Sequence, residues 1–77
     1  MKSKQAISAL SALAHEGRLS AFRLLIKAGP EGMAAGDIAA RLKMPPSSLS
    51  TNLTLLAHAG LVSSRRDGRV IIYHADY

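Results

Sequence analysis

The chain has 77 residues, 48% of them hydrophobic and 4% aromatic, with ten Lys and Arg against five Asp and Glu and a formal net charge of +5. A domain of this size buries roughly 60% of the surface that its unfolded chain exposes, which leaves room for one modest core and argues against a self-contained enzyme with a supported pocket. The excess of positive charge favours a polyanionic partner, nucleic acid before an anionic membrane surface, and the absence of cysteine excludes disulfides, thiolate metal sites and a cysteine nucleophile.

The apolar residues after Lys2 and Lys4 are interrupted by Ser8, Ser11, His15 and Glu16, so no signal peptide is expected, and no stretch approaches the roughly 20 apolar residues needed to span a bilayer. The default expectation is one cytoplasmic domain, residues 1–77, without a membrane partner. Along it, Lys4 to Ala14 places Ala6, Ile7, Leu10, Leu13 and Ala14 at helical spacing, which predicts a short helix with one apolar stripe. A second helix is predicted over Arg18 to Ala28, with Leu19, Phe22, Leu25 and Ile26 in the core and Gly29-Pro30 as its stop. A third should run from about Ala35 to Leu42, with Ile38, Ala39 and Leu42 inward and Asp37 in the first turn, where the helix dipole favours negative charge. Pro46 can take the first position of a fourth helix, where no amide hydrogen is needed, and Gly60 ends it after Ala59. Beyond lie two β-prone runs, Leu61 to Arg66 and Arg69 to His74, flanking Asp67-Gly68, a dipeptide suited to a type I′ hairpin turn. That turn would set Arg66 opposite Arg69, Ser64 opposite Ile71 and Arg65 opposite Val70, with like charges facing across the strands.

Two short helices joined by a tight turn and followed by a hairpin with a basic tip make a winged helix-turn-helix, mainly α with a two-stranded wing. The residues that fill it are Leu13-Ala14 through Arg18-Leu19, Leu24-Leu25, Asp37-Ile38-Ala39 with Leu42, and Ser47-Ser48-Leu49-Ser50 with Leu53. They continue through Leu56-Ala57-His58-Ala59-Gly60-Leu61-Val62 and Arg65-Arg66-Asp67-Gly68-Arg69 to Tyr73. Together they resemble the ArsR/SmtB family of bacterial transcriptional repressors over nearly the whole chain. The resemblance implies a homodimer that binds double-stranded operator DNA and in many members releases it when an inducer, commonly a metal or metalloid ion, binds.

On the fourth helix Leu49, Leu53 and Leu56 share one stripe, with Asn52 at its margin, while Ser47, Thr51, Thr54 and His58 fall opposite and Ser50 flanks them. Short polar side chains can approach a major groove closely, so Ser47, Ser50, Thr51 and Thr54 are the candidate base-reading residues. No Lys or Arg lies between Pro46 and Ala59, although arginine to guanine is the commonest specific contact. Affinity is therefore assigned to Arg41 and Lys43 at the turn and to Arg65, Arg66 and Arg69 at the wing, all as phosphate contacts. Tyr73 could donate to a phosphate or close the core beneath the strands and is left out of the site.

No catalytic residue is assigned: no activated nucleophile, paired carboxylates or phosphate-cradling glycine loop can be assembled. No cofactor or metal ligand is assigned either, because the only close pairing is His74-Ala75-Asp76, and each histidine is read as solvated or capping. Arsenical members of the family carry cysteines at the third helix, where this chain has Met33, Ala34 and Ala35, so thiolate sensing is not expected and the inducer is unassigned. Family members also continue past the wing into a C-terminal helix that packs with the first helix, which leads to the expectation that a chain ending at Tyr77 is a shortened form of a longer one. The competing function is a winged-helix module for protein or RNA interaction within a larger assembly.

Overall fold

A computed structural model describes residues 3–76. Met1, Lys2 and Tyr77 lie outside them, and with them Lys2's part in the N-terminal reading and the chain end at Tyr77. The elements run α1 (Ser3–Leu13), α2 (Glu16–Ala28), a 3-10 turn (Gly29–Glu31), β1 (Met33–Ala34), α3 (Ala35–Leu42), α4 (Pro46–His58), β2 (Val62–Asp67) and β3 (Val70–Ala75). The four helices and the hairpin are those read from the sequence. The hairpin carries a short third strand as well, giving an antiparallel sheet of order β1-β3-β2.

The core is formed by Leu25, Ile38, Leu49, Leu53 and Leu56, with Leu61 and Val62 closing it at the hairpin base and Ala9, Ala12, Ala21 and Ala39 filling the close approaches. Burying each large side chain contributes about 1.5–3 kcal/mol. The inward face of α1 is rotated from the expected stripe: Leu13 packs against the core as expected, but Ala9 and Ala12 are buried, while Ile7 and Leu10 are 66% and 70% exposed. Alanines at i and i+3 let α1 sit close to its neighbours, and the larger residues a quarter turn or more away point outward. Ala21 and Leu25 set the roll of α2 in the same way, so Phe22 packs partly against the core and Ile26, expected inside, is 41% exposed.

α2 begins at Glu16, two residues before the expected start at Arg18. His15 is its N-cap, and its Nδ1 accepts from the Gly17 amide at 3.2 Å, which satisfies one of the orphan donors of the first turn. The approach at Gly17 is close: a Cβ there would lie 3.2 Å from Asn52 Nδ2 and 3.3 Å from Met44 Cε, so these side chains would have to give by a few tenths of an ångström. At the other end of α1, Arg18 Nε donates to the Ala12 carbonyl at 2.6 Å, a cation on the negative end of a helix.

The hairpin register differs from the expected one. Ser64 lies opposite Tyr73, Arg65 opposite Ile72, Arg66 opposite Ile71 and Asp67 opposite Val70, so the two loop residues are Gly68 and Arg69 rather than Asp67 and Gly68. A type I′ turn needs positive φ at both central residues. Gly68 has φ +65° and Arg69 is not among the positive-φ residues, the pattern of a type II′ turn, which asks for glycine at the first central position only. The shift also removes the direct Arg66–Arg69 opposition.

β1 ties this hairpin to the body through Met33 opposite Tyr73 and Ala34 opposite Ile72. Just before it, Gly32 has φ +73°, and a Cβ added there would overlap the Tyr73 carbonyl. Gly32→Ala should therefore lower stability by about 2–3 kcal/mol in urea titrations followed by circular dichroism. Gly36→Ala, in the first turn of α3 with nothing within 4 Å, should instead raise it by about 0.5 kcal/mol through helix propensity.

Candidate nucleic-acid interface

α3 and α4 are joined by Lys43, Met44 and Pro45. Lys43 adopts the left-handed conformation, φ 53° and ψ 43°, and the Met44 amide returns to the Ala39 carbonyl at 3.0 Å, so α3 closes in one residue. Pro45, at φ −57° and ψ 142°, then directs the chain into α4, and its carbonyl accepts from the Leu49 amide at 3.0 Å. No side-chain oxygen caps α4. Its early amides at Ser47 and Ser48 are thus available to an anion, a feature signalled in the sequence by a proline where Ser, Thr, Asp or Asn would ordinarily stand.

Leu49, Leu53 and Leu56 are 2%, 1% and 0% exposed, so the i, i+4, i+7 stripe is fully sunk and the opposite stripe is turned out. Ser47, Ser50, Thr51, Thr54 and His58 are all exposed along it. Thr51 Oγ1 donates to the Ser47 carbonyl at 3.2 Å and Thr54 Oγ1 to the Ser50 carbonyl at 2.9 Å, each reaching back one turn of its own helix. Asn52, 8% exposed, lies on the core side rather than at a margin, and its Nδ2 donates to Met44 Sδ at 3.5 Å. That contact fastens α4 to the preceding turn. Its only sequence signal is an amide placed between two core leucines.

The five candidate cations occupy three environments. Arg41, in the last turn of α3, and Lys43 are exposed at the interhelical turn. Arg66 and Arg69 are exposed at the distal half of the hairpin, with Arg69 in the turn itself. Arg65 stands apart: strand alternation puts it on the face opposite Arg66, and its Nη2 donates to the Glu31 carbonyl at 2.8 Å, clasping the hairpin to the 3-10 turn. Because that acceptor is a neutral carbonyl, the charge of Arg65 is retained. Among the described residues no carboxylate lies within salt-bridge distance of any of the five cations; the contact found is His74 Nδ1 with Asp76 Oδ1 at 3.6 Å. Tyr73 packs against the core.

The hairpin base holds a further polar cluster, in which the Ser63 hydroxyl donates to the same Asp76 carboxylate. Among the described residues no group of three or more His, Cys, Asp or Glu side chains could hold a metal ion, and no helix is long and apolar enough to cross a membrane.

A family model for a helix-turn-helix domain matches residues 13–65. The chain is 31% identical over 71 residues, 92% of its length and 63% of the relative's, to the transcriptional activator HlyU of Vibrio cholerae. It is 38% identical over 63 residues to a putative arsenical resistance operon repressor, ArsR, of Halobacterium salinarum, covering 82% of this chain and 48% of that one. Among solved structures it is similar to the homodimeric winged helix-turn-helix DNA-binding domain of a possible ArsR-family transcriptional regulator from Mycobacterium bovis, with a TM-score of 0.85, 32% identity, and 94% of this chain and 64% of that one covered. The chain thus spans between about half and under two thirds of the length of the curated relatives it matches.

The two faces of the hairpin separate structural from free arginines. Arg65→Ala should cost about 0.5–1 kcal/mol of unfolding free energy through the lost Glu31 bond, whereas Arg66→Ala and Arg69→Ala should stay within about 0.5 kcal/mol of the parent in the same urea titration.

Proposed function

The chain belongs to the ArsR family of winged helix-turn-helix regulators, and from that premise we propose that it is a dimeric transcriptional repressor acting in the cytoplasm, with residues 1–77 as one unit that binds operator DNA. The observation that carries this reading is the outward stripe of α4. Its short hydroxyl side chains are exposed, carry no acidic group, and are flanked in the chain by cations at the α3–α4 turn and at the wing. A helix presented in this way can enter a major groove about 12 Å wide and bring Ser47, Ser50, Thr51 and Thr54 to base edges.

The work divides by chemistry. Arg41, Lys43, Arg66 and Arg69 neutralise phosphates, releasing counterions and supplying affinity without sequence preference. The free amides at the start of α4 add a phosphate contact with no side-chain entropy to lose. Arg65 adds its charge to the wing's field while holding the hairpin in place. One α4 covers too few base pairs for useful selectivity, so two copies addressing half-sites about 34 Å apart complete the reading. Two observations support a homodimer: Ile7 and Leu10 expose an apolar strip on α1, and the similar M. bovis domain is described as homodimeric.

Gel-shift titration on the promoter upstream of the protein's own gene tests the proposal. Log affinity should fall linearly with log salt, and the promoter should be preferred over random duplex. Arg66→Ala should weaken all duplexes about equally and reduce the salt slope by about 1, whereas Thr51→Ala should relax sequence choice at one position of each half-site. Equal binding to random duplex would point instead to a protein- or RNA-interaction module. In a reporter strain, deleting the gene should raise promoter output, and a fall would overturn the repressor sign.

A further inference from the structure

α4 lacks the side chains that ordinarily read guanine, and its two threonines are placed to donate within their own helix. Guanine shows only acceptors, N7 and O6, in the major groove, so reading it requires a donor. Neither lysine nor arginine lies in α4. The Thr51 and Thr54 hydroxyls lie 3.2 and 2.9 Å from the Ser47 and Ser50 carbonyls of the same helix and are placed to donate to them. A hydroxyl oxygen carries two acceptor lone pairs beside its single donor, and each threonine has a methyl group on the same carbon. What remains for a ligand at these two positions is a lone-pair acceptor next to an apolar methyl.

We propose that Thr51 and Thr54 read two A·T base pairs in each half-site, taking the adenine amino group on the hydroxyl oxygen and the thymine methyl on the side-chain methyl. The inference rests on the DNA-binding reading above and specifies what that reading recognises. An A·T pair is the one that offers both features in the major groove, an N6 amino donor and a C5 methyl. A cytosine amino group would also meet the oxygen, so the methyl contact decides between A·T and G·C. The spacing suits neighbouring pairs, because residues three apart on a helix are separated by about 4.5 Å along its axis and base pairs by about 3.4 Å. Donating to guanine would require either hydroxyl to abandon its bond to the helix, so guanine is disfavoured there as well as unread.

The test is selection of binding sites by the 77-residue chain from a pool of randomised duplexes, followed by replacing thymine with deoxyuridine in the recovered sites. The expected sites have A·T pairs at two neighbouring positions in each half-site. Removing each of the contacted methyl groups should weaken binding about fourfold, the worth of one buried methyl. In the Thr51→Ser/Thr54→Ser protein, which keeps both oxygens and loses both methyls, deoxyuridine should make no difference. Thr54→Val, which keeps the methyl positions and loses the acceptor, should retain the deoxyuridine penalty. Both threonines are exposed, and unchanged helical circular dichroism would show that the variants fold. Enriched sites with guanine at both positions, or a deoxyuridine penalty absent from the parent or unchanged in the double-serine protein, would overturn this inference and leave DNA binding standing. A pool that yields no enriched sequence would overturn both.

Discussion

The orientation of α4 about its own axis is the constraint on which the candidate interface depends. Three leucines spaced over two turns are sunk completely, and a helix anchored at three such points cannot roll without pulling at least one of them into water, at a cost of the order of a few kcal/mol. Once the roll is set, the hydroxyl stripe faces outward whatever its own preferences. Leu55 shows the same rule from the other side: it is leucine, yet it is 42% exposed because it stands about a quarter turn from the buried stripe. The Asn52 bond to Met44 then locks the helix along its length to the turn that precedes it.

Elements bounded by glycine and proline were legible in the sequence because those residues act locally. The stop of α2 at Gly29 and the start of α4 at Pro46 follow from local backbone chemistry. The hairpin was legible as a hairpin but not in its register, since Asp67-Gly68 and Gly68-Arg69 both place Gly68 in a tight turn. The pairing of β3 with β1, which lies some 40 residues earlier, contributes to the choice, and such a contact leaves no trace in a local pattern. The inward face of α1 is legible only at Leu13, for a related reason. Hydrophobic size suggested Ile7 and Leu10, whereas close packing selected the small Ala9 and Ala12. Residue chemistry marks the cations of the candidate site and strand alternation parts Arg65 from Arg66, but the bond from Arg65 to the Glu31 carbonyl, 34 residues away in the chain, has no local signal.

That separation gives the wing two functions in one short ribbon. One face holds it to the body through Arg65 and the Glu31 carbonyl, and the other leaves Arg66 unencumbered. The polar face of α4 is rigid for a different reason, being fixed by burial beneath it rather than by hydrogen bonds across it. On the proposed reading, the contacts that depend on charge come from long side chains at the end of α3, the turn after it and the outer half of the hairpin, which can adjust to a polyanion, and those that depend on geometry come from a helix held by its buried leucines.

Lys43 holds a backbone conformation that glycine or asparagine would adopt more easily, and an ordinary residue there pays roughly 1 kcal/mol. The strain falls at the exit of α3, not at the entrance of α4, because the Pro46 ring already fixes the first helical φ. The backbone cost of the junction therefore falls on the side that carries charge, next to Arg41 and Lys43, and the side that carries shape is left to the leucines that hold it.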